Sequence, residues 1–134
     1  ISPLVVYNDV ADSDPVGLVR YVAGQLDRRG IAFLEVRHAD HALPAEREVR
    51  RAARERFRGP LFVNGGYDRD SGTAALAAGE ADAVVYGRAF IANPDLVERY
   101  AAGAPLNALD ASTLYTPGAK GYTDYPSLRE RRSA

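Results

Sequence analysis

The alternation of short apolar runs with segments of helical periodicity constrains the fold more than any other feature of this sequence. The runs “IAFLEV”, “LFVNGG” and “ADAVVYG” are rich in β-branched residues, and a helical pattern precedes or follows each of them. Near-continuous apolar strands separated by helices are typical of βαβ units with a parallel sheet that helices cover. The chain is therefore predicted to be α/β. It fits either a small doubly wound sheet or about half of a (β/α)₈ TIM barrel, since a whole barrel needs about 250 residues.

Capping residues predict where two of the helices begin. Asp14 precedes Pro15, and the pair suits the cap and first turn of a helix that ends at Gly30. Asn93 and Pro94 are predicted to start a later helix in the same way. A third helix, “PAEREVRRAARERF”, carries its apolar residues on one face, so its many arginines and glutamates are predicted to form a solvated face rather than a nucleic-acid or partner patch.

Composition sets the protein class and excludes several partners. The 134 residues include 46% hydrophobic and 26% charged residues, with a net charge of -1 and no cysteine. These values are typical of one globular domain over residues 1–134, without disulfides and without a nucleic-acid clamp. No apolar run reaches the roughly 20 residues that span a bilayer, so no membrane partner is expected. A cytoplasmic location is the default expectation.

Two candidate anion-binding segments follow neighbouring strands, at the carboxyl ends where parallel α/β folds bind ligands. Asn64, Gly65 and Gly66 follow one strand, and Gly87 and Arg88 follow the next. Glycines let backbone N–H groups approach a ligand, and arginine offers a planar fork of donors that suits phosphate, beside the first N–H groups of the short helix that follows. The alternatives are a simple tight turn and an arginine paired with a surface carboxylate.

Other chemistry-bearing residues give weaker signals. His38 and His41 follow a strand, but two loop histidines are expected to be solvated rather than to bind a metal. Tyr115, Tyr122 and Tyr125 crowd the C-terminal segment, where they could bind a substrate or pack this segment on the body. The sequence has no serine–histidine–acid arrangement and no P-loop.

Several motifs agree in order and spacing with one family. The segments from “GPLFVNGGY” to “YAAGAPLN” and “TLYTPGAKGYTDYP” resemble the C-terminal region of the Old Yellow Enzyme family, flavin-dependent ene-reductases on a (β/α)₈ barrel. The most specific matches are Gly65-Gly66-Tyr67, the segment from Gly87 to Leu96, and the segment from Gly121 to Pro126. The resemblance extends from Ile1 to the end of the chain, and the N-ethylmaleimide and xenobiotic reductases are the most similar branch.

The resemblance implies an FMN cofactor, a nicotinamide reductant (NADH or NADPH) and a substrate with an activated C=C bond, such as an α,β-unsaturated carbonyl compound. It implies that Gly65, Gly66, Gly87 and Arg88 hold the FMN phosphate. Tyr115 matches a tyrosine that overhangs the flavin and shapes the substrate pocket. In the family, hydride passes from the reductant to the flavin and then to the alkene.

The resemblance also implies that part of the machinery is missing. The family's carbonyl-binding pair, its proton-donor tyrosine and its flavin-edge glutamine lie in earlier segments, so no catalytic residue is predicted here. “ISP” matches a family “R-x-SP” motif whose arginine would come just before Ile1. We therefore expect a C-terminal fragment that lacks the N-terminal half of the barrel, is inactive alone and forms homo-oligomers. The alternatives are a phosphate-binding TIM-barrel isomerase fragment and a non-catalytic, self-associating half-barrel.

Overall fold

A computed structural model describes residues 1–7, 9 and 11–132 of the chain. The other positions of the predicted 1–134 domain, residues 8, 10, 133 and 134, lie outside the described residues. The chain divides into two compact units, Ile1–Val85 and Tyr86–Ala134, and each is described by itself. Among the described residues, no helix combines the length and the apolarity that crossing a bilayer requires.

The first unit is a parallel three-stranded sheet with helices between its strands. The strand order is β1-β2-β3, and Val63 of β2 lies in register with Val36 of β1 and Val84 of β3. This arrangement confirms the predicted α/β class, with parallel strands and covering helices. Its elements are α1 (Pro15–Arg28), β1 (Leu34–Arg37), α2 (Pro44–Arg56), β2 (Leu61–Asn64), α3 (Arg69–Ala77) and β3 (Ala83–Val85).

Helix ends in the first unit follow local side-chain chemistry. Asp14 caps α1 as predicted, because its Oδ1 accepts a hydrogen bond from the N–H of Gly17 at 2.9 Å. Asp68 caps α3 through a reciprocal capping box with Ser71. Gly30, with φ of +62°, follows α1 and lets the chain turn toward β1.

The core of the first unit lies between the sheet and the helices α1 and α2. The predicted apolar face of α2 is confirmed, since Val49, Ala52 and Ala53 are buried, but the prediction that its arginines and glutamates form a solvated face is wrong for Glu46 and Arg50, which are buried as well. The strands contribute alternate residues, because successive side chains of a strand point to opposite faces. The buried core residues are Val19, Ala23, Leu34, Val36, Val49, Ala52, Ala53, Phe57 and Leu61.

The opposite face of the sheet is only partly covered. Phe62 stacks on Phe33 with ring centroids 4.7 Å apart, and Phe33 remains 48% exposed. At the outer edge of β1, Ile1 donates its terminal N–H to the Glu35 carbonyl and accepts from the Arg37 N–H, at 2.7 and 2.8 Å. Ile1 therefore runs alongside β1, although no regular strand forms there.

The second unit is helical. Its elements are α4 (Arg88–Ala92), α5 (Leu96–Ala102), a 3-10 turn (Ala111–Thr113) and α6 (Leu128–Arg132). The prediction that Asn93 caps a helix is wrong, because α5 begins only after Asp95. The Asn93 amide is used elsewhere: it donates to the Ala89 carbonyl at 2.8 Å and accepts from the Asn107 N–H at 2.7 Å.

Arg99 ties the C-terminal segment of the second unit to α5. Its guanidinium is fully buried and donates to the Asp95 carboxylate and to the carbonyls of Pro105 and Pro126, at 2.6, 2.6 and 2.8 Å. Asp95 in turn accepts from the N–H of Leu128 at 2.7 Å. Both ends of the segment that carries the tyrosines are thus fixed to one helix.

Candidate functional site

The Gly65-Gly66 turn follows β2 and has a backbone that only glycine adopts easily. Gly65 and Gly66 have φ of +108° and +77°. A Cβ atom on Gly65 would lie 2.0 Å from the carbonyl oxygen of His38, so no larger residue fits there. Gly66 is exposed, and its N–H has no recorded acceptor within the described part of the chain. The turn therefore presents a free backbone donor at the carboxyl end of the sheet.

The loop after β1 supports this turn through His38, which is buried rather than solvated. The expectation of a solvated histidine is wrong because His38 is 1% exposed, with its Nδ1 2.7 Å from Oε2 of Glu46. The other oxygen of Glu46 accepts from the N–H of Ala39 at 2.6 Å. Burial lowers the pKa of His38 below its usual 6.5, although the hydrogen bond to Glu46 acts in the opposite direction.

A second set of contacts holds Tyr67, the residue that follows the turn. Its hydroxyl accepts a hydrogen bond from Arg50 at 3.0 Å, and its ring stacks on His41 with centroids 3.9 Å apart. Arg50 also forms an ion pair with Glu80 at 2.5 Å. Burial raises the pKa of the Tyr67 hydroxyl, so it stays protonated at neutral pH.

In the second unit, Gly87 and Arg88 begin α4. Gly87 is its N-terminal cap and has open space where a Cβ would stand. Arg88 is exposed, and no ion pair or side-chain hydrogen bond of Arg88 is recorded among the described residues. The alternative of an arginine neutralised by a surface carboxylate is therefore not observed. Helix α4 has five residues, so the charge of Arg88 counts for more than the helix dipole.

Tyr115 has an unusual conformation for an aromatic residue. It is 89% exposed and has a left-handed backbone with φ of +65°, which costs about 1 kcal/mol for a residue other than glycine. Its N–H donates to the hydroxyl of Tyr122 at 3.0 Å, which holds this conformation. The Tyr125 hydroxyl accepts from the N–H of Asp110 at 2.8 Å, so two of the three tyrosines pack this segment.

Among the described residues, neither of two other kinds of site, a metal site or a groove, includes the predicted site residues. No group of three or more histidine, aspartate or glutamate side chains with metal-binding geometry occurs among them. A groove of about 610 Å³ runs between α2 and the end of α3, with Arg50 and Glu80 in its lining, and none of the five predicted site residues lines it. The glycine turn and Arg88 each offer hydrogen-bond donors for which no acceptor is recorded among the described residues.

Comparison with known proteins identifies the family. The sequence profile of the NADH:flavin oxidoreductase / NADH oxidase family matches residues 19–107. The chain belongs to this family. The predicted relationship to the Old Yellow Enzyme family is thus confirmed, and the matched family is one of NADH:flavin oxidoreductases, which are enzymes that use a flavin and a nicotinamide. Membership in this family also argues against the alternative of a phosphate-binding TIM-barrel isomerase fragment.

Individual relatives are similar over nearly the whole chain. A probable flavin mononucleotide-dependent alkene reductase of Leishmania infantum is 48% identical and a putative 12-oxophytodienoate reductase 12 of Oryza sativa subsp. japonica is 47% identical, each over 96% of the chain. The structure of morphinone reductase in complex with tetrahydroNAD has a TM-score of 0.85 at 43% identity over 95% of the chain. The chain spans about a third of the length of these proteins, 34–35%, which agrees with the predicted part of a TIM barrel.

Proposed function

We propose that this chain forms the FMN-phosphate end of an FMN-dependent reductase that reduces activated C=C bonds, such as those of α,β-unsaturated carbonyl compounds, with NADH or NADPH. The observation that carries the proposal is the 48% identity to a probable alkene reductase over 96% of the chain. The reactive groups of such an enzyme would lie in the rest of the barrel, and the 134 residues would form part of one flavin-binding domain.

The residues assigned to the phosphate are Gly65, Gly66, Gly87 and Arg88. The exposed Gly66 N–H and the unpaired Arg88 guanidinium each offer donors to an anion. The residues that precede the two segments in the sequence are close to each other in the sheet, because Asn64 and Val85 are partners in register at the ends of β2 and β3. Charge-assisted hydrogen bonds from arginine to phosphate are among the stronger polar contacts in proteins.

The residues of this chain would bind and orient FMN. The chemistry that bound FMN would supply is the transfer of hydride from the nicotinamide to the alkene. Tyr115 is assigned to the substrate pocket. Its exposed ring and its left-handed backbone are hard to explain by packing within the second unit, and such strain often occurs at binding sites. A small electrophilic alkene fits an aromatic side chain that offers both a ring face and a hydroxyl.

Replacement of Arg88 tests the phosphate assignment. We expect Arg88→Gln, in the whole natural protein stripped of flavin, to weaken FMN binding by about 10- to 100-fold, since a hydrogen bond to a charged group contributes roughly 1.5–3 kcal/mol. Binding of riboflavin, which lacks the phosphate, should not change. Quenching of flavin fluorescence gives both dissociation constants.

A matched control is Arg47→Gln on α2, because Arg47 is also exposed and has no recorded ion pair in the described part of the chain. This variant should bind FMN like the natural protein. A colourless natural protein that does not bind FMN would refute the proposed activity. An unchanged preference for FMN over riboflavin in Arg88→Gln would refute the phosphate assignment alone.

A further inference from the structure

Two charged side chains are buried on the inner face of α2, one helical turn apart. Glu46 is 1% exposed and Arg50 is 6% exposed, although the other arginines and glutamates of the helix lie mostly outside. Burial of a charge costs several kcal/mol unless it is paired and hydrogen-bonded. Both side chains therefore need hydrogen-bonding or oppositely charged partners, and each of them has such partners beside the Gly65-Gly66 turn.

Glu46 fixes the backbone against which Gly65 packs. Its carboxylate accepts from His38 and from the N–H of Ala39, at 2.7 and 2.6 Å. The backbone N–H of His38 donates to the Asn64 carbonyl at 2.7 Å. The backbone carbonyl oxygen of His38 occupies the space that a Cβ of Gly65 would need. A shift of this segment would therefore displace the first glycine of the turn.

Arg50 fixes the other side of the turn. It donates to the hydroxyl of Tyr67 at 3.0 Å, and Tyr67 follows Gly66 directly and is 8% exposed. The ion pair with Glu80 holds the same guanidinium from the loop before β3. The turn thus lies between two residues, His38 and Tyr67, that α2 holds by separate polar contacts.

We propose that His38, Glu46, Arg50 and Tyr67, together the support cluster, are positioning residues that set the affinity of the Gly65-Gly66 turn for the phosphate ester of FMN. The inference rests on the proposed function, since that assigns the turn to the phosphate. It adds that phosphate affinity is controlled from α2, by side chains that do not touch the cofactor. Loss of either buried charge would move the Gly66 N–H away from its phosphate-binding position.

The test compares FMN with riboflavin in the whole natural protein after removal of its flavin. Glu46→Gln keeps the shape of the side chain but replaces one of the two acceptor oxygens by an NH2 group, which then faces the N–H of His38 or of Ala39. Arg50→Met keeps the stem but removes every donor. We expect both to weaken FMN binding about tenfold and to leave riboflavin binding within twofold. Arg50→Lys, which restores a charge and a donor, should recover part of the loss.

Controls come from the outer face of the same helix. Glu48→Gln and Arg47→Met remove exposed groups and should leave both dissociation constants unchanged. A general loss of stability would weaken both flavins together, so an equal loss for FMN and riboflavin overturns the proposal. An unchanged ratio of the two constants in Glu46→Gln and Arg50→Met overturns it as well.

Two further variants allow the test to decide even when the α2 variants are uninformative. If the α2 variants do not fold, Tyr67→Phe decides, since it removes only the hydroxyl that Arg50 contacts and keeps the ring that stacks on His41. It should weaken FMN alone by about two- to fivefold, and no selective effect would overturn the proposal. Arg88→Gln in the same assay separates the two hypotheses: if it lowers the preference for FMN while the α2 variants do not, the phosphate site stands and the positioning role fails.

Discussion

The protonation state of His38 follows from its contacts. A carboxylate can only accept hydrogen bonds, so the His38 Nδ1 that faces Glu46 at 2.7 Å carries the hydrogen. The buried Nε2 then presents a lone pair, and it has no partner among the described residues. Protonation would place an N–H where no acceptor lies, while Arg50 and His41 also disfavour a positive charge and only Glu46 favours it. The His38 imidazole is therefore neutral in the folded protein.

This residue predicts a loss of stability in mild acid. Because burial lowers the pKa of His38 in the folded protein, the unfolded chain takes up a proton near pH 6.5 before the folded chain does. The free energy of unfolding should fall as pH decreases below about 6.5, by up to about 1.4 kcal/mol per pH unit until the folded pKa is reached. Urea unfolding between pH 7.5 and 5 measures this slope.

Single variants assign the slope to its residue. His38→Gln should reduce the slope by about one proton relative to the natural protein, because no group remains at this position to titrate. Equal slopes in the natural protein and in His38→Gln would contradict the assignment.

Among the elements, α5 and the C-terminal segment depend on one buried arginine. Arg99→Ala would remove three hydrogen bonds and leave the Asp95 carboxylate without its main partner. Breaking a buried ion pair by removal of one side costs about 3–5 kcal/mol. We expect the free energy of unfolding of the second unit to fall by this amount, and proteolysis between residues 105 and 126 to become faster. Denaturant unfolding measures the first effect, and mass spectrometry of the cleavage products measures the second.

The neighbouring Glu98 provides the control, since it is exposed on the same helix. Glu98→Ala should change stability by no more than about 0.5 kcal/mol. Arg99→Lys, which keeps the charge but reaches fewer acceptors, should fall between the two. An Arg99→Ala protein as stable and as protease-resistant as Glu98→Ala would show that the buried contacts contribute nothing.

Elements with local signals could be predicted from the sequence, and those that depend on distant partners could not. Asp14 caps α1 through the N–H of a residue only three positions away, so the short segment around Asp14 is enough to predict the cap. Arg99, by contrast, bonds to Pro126, and nothing near either residue indicates the other. The same holds for His38, whose loop position suggested solvent, because Glu46 reaches it only after α2 packs on the sheet. Asn93 had a capping pattern, but Asn107 competes for its side chain.

At the scale of the whole molecule, the chain spans 34–35% of the length of two reductases that it resembles, and its first unit leaves surface without a partner. Phe33 is 48% exposed on the sheet, and among the described residues no strand pairs with the free edge of β3. Exposed apolar surface and open strand edges favour association. We therefore expect the 134 residues to be dimeric or larger in solution when they are produced alone.

The proposed division of roles predicts that the 134 residues alone do not catalyse alkene reduction. The assigned residues would bind the phosphate and line the substrate pocket, but none of them would accept or donate the hydride or the proton, so turnover would need groups from the rest of a barrel. An assay with cyclohexenone, FMN and either NADH or NADPH should show no oxidation of the nicotinamide above the rate without protein, whereas the whole natural protein should be active. Turnover by the isolated chain would refute this division of roles, and a monodisperse monomer in light scattering would refute the expected self-association.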